Sequence, residues 1–485
     1  MISYTAELRR PLADGAAAKR AAVEDLTRRL GLSGCKDTVI GDQGISRGEA
    51  RRTSIAVQLI SRPSVLLLDE PIAGLDVANA NKVVIALKDA AANGATVIAT
   101  VARPTELALQ TADSLAVLLR GRAVYWGPGG DAALRYAASL DLPAASSLSS
   151  TGTGAEWLCE LYAAAAEDAQ QAAALAKAHD ASRAHMVATK PHQPGKHGGR
   201  AAPRAAAVVG PSGAAAAPCW WALATLLRYR AARRFTSLRW LTARIPAYLL
   251  IALVLSALYF GMGADVTILT SLQMSCLLFM WSAIPFWLSV AFLPTSISER
   301  RLFLRECADG LYHTPTYLVA KLAEEIAVVT PVSIVAAAIV FSLCKVQGAL
   351  GVFMLATWSA FCCGIALAYA VAAWSPTIDI ACTVLPLIVG VQLLFAGCLV
   401  PLVDVPRWLI WVSWLNPLRY TWASVMVNQF AGSRTKFVNG QPVLVYFQMM
   451  AEDPMSNTGI VWAFFAGFAV VAAAGMSVRR RRCRC

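Results

Sequence analysis

The segment Val65-Leu66-Leu67-Leu68-Asp69-Glu70-Pro71 is an apolar run that ends on two adjacent carboxylates. A buried strand with this ending can deliver Asp69 to a magnesium ion held on nucleotide phosphates. Glu70 is then placed to polarise an attacking water as general base. Alone this is a weak signal, and its neighbours strengthen it. Upstream stands Gly44-Ile45-Ser46-Arg47-Gly48-Glu49-Ala50-Arg51-Arg52, and downstream Ala73-Gly74-Leu75-Asp76. Ser46 and the Gly48 backbone open an expected helix running to about Ile60. Its N-terminal N–H groups and positive dipole end suit a γ-phosphate.

Other chemistries have less support. The 12 cysteines are scattered without a CxxC pair, and four of the five histidines (His179, His185, His192, His197) fall in one low-complexity stretch. That argues against a disulfide framework or a zinc site.

The elements that position the carboxylates lie in residues 1–140. Polar helical patterns there alternate with short apolar runs such as Val65–Leu68 and Thr96–Thr100, which predicts an α/β layer. Residues 141–217 shift to Ala, Ser, Gly and Pro and read as a linker, with an Ala-rich helix expected over Leu158–Lys177. Residues 218–485 read as a membrane domain. Six apolar runs free of ionisable residues are candidate spans: Ile245–Met262, Ile268–Pro294, Ile326–Leu343, Ala349–Trp374, Ile380–Val400 and Ile460–Met476.

Composition agrees. The chain is 57% hydrophobic and only 15% charged, which excludes a disordered chain and argues against a wholly soluble one. Its net charge is +13. Arg228, Arg230, Arg233, Arg234, Arg239 and Arg244 precede the first span. Arg300, Arg301 and Arg305 lie between the second and third, and Arg479–Arg482 and Arg484 follow the sixth. The positive-inside rule places both termini and the 295–325 loop in the cytoplasm. This absorbs the basic excess without nucleic acid. Spans without carboxylates argue against ion-coupled transport and favour an apolar or amphipathic cargo.

The order and spacing of the three motifs resemble the signature loop, Walker B strand and D-loop of ABC-transporter ATPase domains. The closer resemblance is to the White-type, or G, subfamily of half-transporters. It is carried by Asp37-Thr38-Val39-Ile40-Gly41-Asp42, by Arg120-Gly121-Arg122-Ala123-Val124-Tyr125-Trp126-Gly127-Pro128, and by Glu299–Glu306 with Gly310, Tyr312 and Tyr317. Pro406-Arg407-Trp408 and Trp414–Tyr420 add to it. The resemblance implies a partial P-loop-type α/β ATPase domain over 1–140. After the linker it implies an all-α, six-helix transmembrane domain of the ABC-2 type. It gives Glu70 the catalytic role and Asp69 the magnesium. Ser46, Gly48, Glu49 and Asp76 become nucleotide-binding residues, with ATP and Mg²⁺ held in a dimer whose partner supplies the P-loop. A second half-transporter, in a homodimer or heterodimer, completes the path for a lipid-like or other hydrophobic substrate in contact with membrane lipid.

Three departures stand beside the resemblance. No GxxxxGK[ST] occurs in the 485 residues, so Met1 is expected to fall inside the family's helical subdomain. Arg47 replaces a glycine of the signature loop, where its side chain could crowd a phosphate or attract one. Ala102 stands at the switch-histidine position, and no histidine precedes His179. The alternative reading is a catalytically degenerate half that supplies helices and a structural ATPase face to an active partner.

Further expectations concern the membrane half. A surface helix around Ser298–Ala320 presents Glu299, Arg300, Arg305 and Glu306, either paired across the domain boundary or solvated. Asp404–Asn416, with Trp408, Trp411 and Trp414, suits a membrane interface. Phe279, Trp281, Phe286, Phe292, Gln392 and Phe395 are candidate cavity residues, with helix packing the commoner role for each. The tail Ser477–Cys485 is basic enough to hold anionic lipid.

Overall fold

The computed structural model describes residues 1–38, 44–140, 153–177, 179, 218–231, 245–264, 267–431, 442–450 and 452–482. The chain divides into two compact units, Met1–Ala214 and Ala215–Cys485.

The first unit opens with α1 (Ile2–Arg9), α2 (Ala16–Arg29) and α3 (Arg47–Leu59). It continues through β1 (Val65–Asp69), α4 (Val77–Ala92) and β2 (Thr96–Thr100). Leu30, Ile55, Ala56, Ile60, Leu66 and Val83 form its main core. β1 and β2 pair in parallel, with Asp69 opposite Thr100. The expected buried strand is buried on one face only. Leu66 is 6% exposed, whereas Val65, Leu67 and Ile98 are 55%, 71% and 56% exposed. Successive side chains point to opposite faces, and the helices of this unit cover one of them.

α5 (Glu106–Thr111), β3 (Leu115–Leu119), β4 (Arg122–Gly127), α6 (Asp131–Ser139) and α7 (Gly154–Glu167) follow. The antiparallel β3–β4 ladder shifts register at Val117/Leu118. α7 lies inside the stretch read as linker, yet Leu158, Leu161 and Tyr162 are buried with Leu109 and Val124 in a second core. A capping box starts it, Thr153 accepting from the Glu156 N–H. Its apolar residues recur at i, i+3 and i+4, so an Ala-rich segment can still pack. Of the expected linker, residues 141–152, 178 and 180–217 lie outside the described residues.

The second unit is helical. It comprises α8 (Cys219–Leu226), α9 (Ile245–Leu258), α10 (Ile268–Leu288), α11 (Leu293–Ala308), α12 (Thr314–Leu343) and α13 (Leu350–Trp374). It ends with α14 (Ile378–Leu394), α15 (Ile410–Trp414), α16 (Pro417–Phe430), α17 (Val443–Tyr446) and α18 (Pro454–Arg482). α13 is buried almost continuously from Phe353 to Ala373 and packs against α10, α12, α16 and α18. A Cβ on its Gly364 would lie 2.8 Å from the Pro285 carbonyl, so glycine permits this close helix approach.

Among the described residues, four segments are long and apolar enough to cross a bilayer: Ile268–Ala308, α12, α13 and Pro454–Arg481. α9 and α14 occupy the positions of the first and fifth expected spans, with 14 and 17 residues. α9 abuts residues outside the described ones, and its 14 described residues cover about 21 Å at 1.5 Å per residue. α14 stops at Leu394, short of the expected Val400. α12 starts at Thr314, well before the expected Ile326, and so carries Lys321, Glu324 and Glu325 into the bundle.

Candidate functional site

The three soluble motifs converge around the C-terminal end of β1. Arg51 of α3 makes the join, donating to the Ala73 carbonyl at 2.8 Å and the Asp69 carbonyl at 3.4 Å. Gly48 approaches the downstream loop so closely that a Cβ there would sit 3.0 Å from Leu75 Cδ2. Buried Arg52 donates to the Leu30 carbonyl and to Asn79 Oδ1. Asn79 donates to Asp76 at 2.6 Å, and Asp76 caps α4 by accepting from the Asn79 N–H. The Asn79 side chain and its N–H hold the Asp76 carboxyl below the usual Asp range.

Asp69 and Glu70 leave the strand together. Thr100 donates its hydroxyl to Asp69 Oδ1, which fixes one oxygen of that carboxylate. The Glu70 N–H donates to the Thr100 carbonyl and hydroxyl, both at 3.1 Å. Glu70 takes φ of 50°, a left-handed conformation that costs a non-glycine residue energy and turns the chain sharply away from the sheet.

At the start of α3, Ser46 and Glu49 engage each other. Ser46 Oγ accepts from the Glu49 N–H at 3.2 Å, and Glu49 Oε2 accepts from the Ser46 N–H at 2.8 Å. These bonds hold the Glu49 carboxyl below its usual range, so at neutral pH it is an anion on the positive end of the helix. The two bonds take up the N–H groups of Ser46 and Glu49. The N–H groups of Arg47 and Gly48 in the first turn are left without a helical partner, as at any helix start. Arg47 is exposed at that turn. Ala102 is also exposed, and its carbonyl lies 4.0 Å from Cys159 Sγ.

The donor set fits a nucleotide-bound magnesium better than a free one. Among the described residues no group of three or more His, Cys, Asp or Glu side chains converges on a metal position. Mg²⁺ is commonly held by one or two carboxylates together with phosphates, which is what Asp69 and Glu70 offer. Val39–Asp42, part of the motif before the signature loop, lie outside the described residues.

A second polar site lies inside the membrane unit, where the sequence reading places none. Lys321, 2% exposed, sits 2.7 Å from Glu299 Oε2 and 3.3 Å from Glu324 Oε2. Arg230 pairs with Glu306 at 3.0 Å and approaches Glu299 at 3.9 Å, its guanidinium 5.2 Å from the Tyr317 ring centroid. Tyr312 donates to Glu306, and Tyr369 donates to Glu325 at 3.2 Å. A small cavity opens beside Arg230, Tyr317, Lys321 and Glu324. Glu299 and Glu306, expected at a domain boundary or in solvent, thus have these partners within their own unit. The signal that could have found the site is the Lys321/Glu324/Glu325 spacing, which puts three ionisable groups on one stretch of helix just before an apolar run.

The expected cavity residues mostly pack between helices. Phe279, Trp281, Phe286 and Phe292 are at most 3% exposed. Trp281 Nε1 donates to Thr357 at 3.0 Å, and Phe279 meets Trp422 edge-on. Gln392 is buried and Phe395 half-buried. Trp408, Trp411 and Trp414 are exposed, as an interfacial segment requires. Arg233, Arg234, Arg239, Arg244, Cys483, Arg484 and Cys485 lie outside the described residues.

Comparison with known proteins covers both halves. Residues 222–430 match the ABC-2 type transporter family, and residues 3–73 match the ABC transporter family. The chain is 26% identical over 501 residues to the broad substrate specificity ATP-binding cassette transporter ABCG2 of Rattus norvegicus, covering 95% of this chain and 74% of that protein. It is 26% identical to ABC transporter G family member 6 of Arabidopsis thaliana, covering 90% of this chain and 63% of that protein. It is also 26% identical to the ABC transporter ATP-binding protein/permease wht-1 of Caenorhabditis elegans, covering 94% and 72%.

Proposed function

Since the chain belongs to the ABC transporters, with White-type (G) half-transporters as its relatives, we propose that it is one half of an ATP-driven exporter of a lipid-like or other hydrophobic substrate. It is an integral membrane protein with an ABC-2 type domain. The observation that carries the proposal is the convergence of the Ser46 helix, the Asp69-Glu70 strand end and the Asp76 loop, joined through Arg51. Bound ATP would supply the phosphoanhydride whose hydrolysis drives transport. Asp69 would hold the magnesium that accompanies it, and Glu70 would accept a proton from the attacking water. The first turn of α3, with Ser46 and Gly48, would face a phosphate of the partner's nucleotide. Six spans, both termini in the cytoplasm and a dimeric partner belong to this proposal.

A second reading has its own support: a degenerate half that lends helices and an ATPase face to an active partner. The Ser46–Glu49 bonds engage the first turn of α3, and Ala102 carries no imidazole. ATP turnover by the full chain in lipid discs, alone and co-expressed with a catalytically intact half-transporter, separates the two. Turnover, alone or with the partner, that Glu70→Gln abolishes or strongly lowers supports a catalytic role for this chain. Turnover only with the partner, unchanged by Glu70→Gln, supports the degenerate half. We expect little or no turnover from the chain alone.

A further inference from the structure

α13 ends at Trp374, and its last carbonyls need partners. Two arginines provide them. Arg300 of α11 donates to the carbonyls of Ser375 and Pro376, each at 2.7 Å, and to Ala372 at 3.4 Å. Arg479 of α18 donates to Ala373 at 2.7 Å and Trp374 at 2.8 Å. Because these carbonyls are consecutive, the two guanidinium groups are held side by side. The negative end of the helix dipole offsets only about half a charge.

More cations flank the pair. Arg301 and Arg481 are exposed, and Arg480 is half-buried with its Nε buried and without a hydrogen-bond partner. Among the described residues, none of these five arginines forms an ion pair with a carboxylate. Among the described residues, ion pairs of the membrane unit form instead around Arg230, Lys321 and Arg419. Asp379, the first acid after this helix end in the chain, is exposed and pairs with none of them.

An apolar surface adjoins the arginines. Trp374 is 54% exposed, with its Nε1 donating to the Val471 carbonyl at 3.1 Å. Val471 and Val478 are also exposed. Indoles favour the depth of lipid headgroups, so the arginines stand where phosphates of a leaflet would lie. A free phosphate would satisfy the cations but leave the apolar surface uncovered. A phospholipid satisfies both.

We propose that the Arg300/Arg479 end of α13 is a binding site for the phosphate of an anionic phospholipid, whose acyl chain covers Trp374 and the neighbouring valines. This does not depend on the transport reading and requires only that the helices lie in a bilayer.

The test is lipid retention by the full chain, read by native mass spectrometry after equilibration with equal amounts of phosphatidylglycerol and phosphatidylcholine. Arg300→Gln/Arg479→Gln can disturb the helix end, so the informative variant is Arg301→Gln/Arg480→Gln, which leaves those carbonyl bonds intact. Wild type should retain one phosphatidylglycerol in preference to phosphatidylcholine. The variant should lose roughly fivefold in retention per arginine removed. Arg419→Gln, at an arginine that pairs with Glu452, should retain lipid like wild type. Equal retention of the two lipids, an unchanged Arg301→Gln/Arg480→Gln variant, or an equal loss in Arg419→Gln would overturn the proposal. Displacement of the lipid by inorganic phosphate would overturn it too, by assigning the site to the free anion.

Discussion

Replacing Lys321 by methionine removes the cation at the centre of the buried cluster while keeping the length of the side chain. Lys321 is 2% exposed and serves Glu299 at 2.7 Å and Glu324 at 3.3 Å. The two carboxylates are not equally placed to tolerate its loss. The Glu299 side chain is 25% exposed and also has Arg230 nearby, whereas the Glu324 side chain is 3% exposed. Most of the cost therefore falls on Glu324. Removing one partner of a buried pair typically costs about 3–5 kcal/mol. At roughly 2 °C per kcal/mol for a unit of this size, the midpoint of thermal unfolding should fall by about 6–10 °C. Unfolding of the full chain in lipid discs reads this directly. Adding Glu324→Leu should recover at least half of the loss, because the buried charge goes with the cation. A Lys321→Met midpoint within about 2 °C of wild type, or a double variant no better than the single one, would refute the reasoning.

Two further outcomes are expected. Gly348 has φ of 89°, and a Cβ there would lie 2.1 Å from the Asn428 carbonyl, so Gly348→Ala should lower the unfolding midpoint, with backbone strain alone costing about 1–3 kcal/mol. Burial, and then the Glu49 carboxylate, raise the Cys35 thiol above its usual range, so its thiolate fraction at mildly alkaline pH is small. Iodoacetamide labelling of the Cys35 peptide should accelerate as pH rises and should be faster in Glu49→Gln, and an unchanged rate in that variant would remove Glu49 as a cause. The Glu49 carboxyl itself is held below its usual range, so its cap on α3 is intact above that range and is lost as pH falls through the depressed value.

Much of the soluble site was legible because its signals are local. Ser46 opens a helix where the sequence places one, and the structure adds the Ser46–Glu49 capping box at its start. An apolar run before Asp69 reads as a strand wherever it packs. The burial of that strand was not legible, since it depends on what covers the second face. The membrane half was legible as apolar runs, but their ends were not. Lys321, Glu324 and Glu325 look like the edge of a solvated segment, and it is partners such as Glu299 and Tyr369, brought near by the fold, that make their burial tolerable.

The sequence by itself determined the kind of protein: order and spacing of the motifs, the apolar segments, and the arginine distribution are properties of the chain. Tertiary structure decided which charges serve which purpose. Arg300 and Arg305 lie in one basic run, yet Arg300 caps a helix end 72 to 76 residues away, while Arg230 finds Glu306 across a separation of 76. Such partners are chosen by helix packing, which brings together residues whose distance along the chain carries no trace of their meeting.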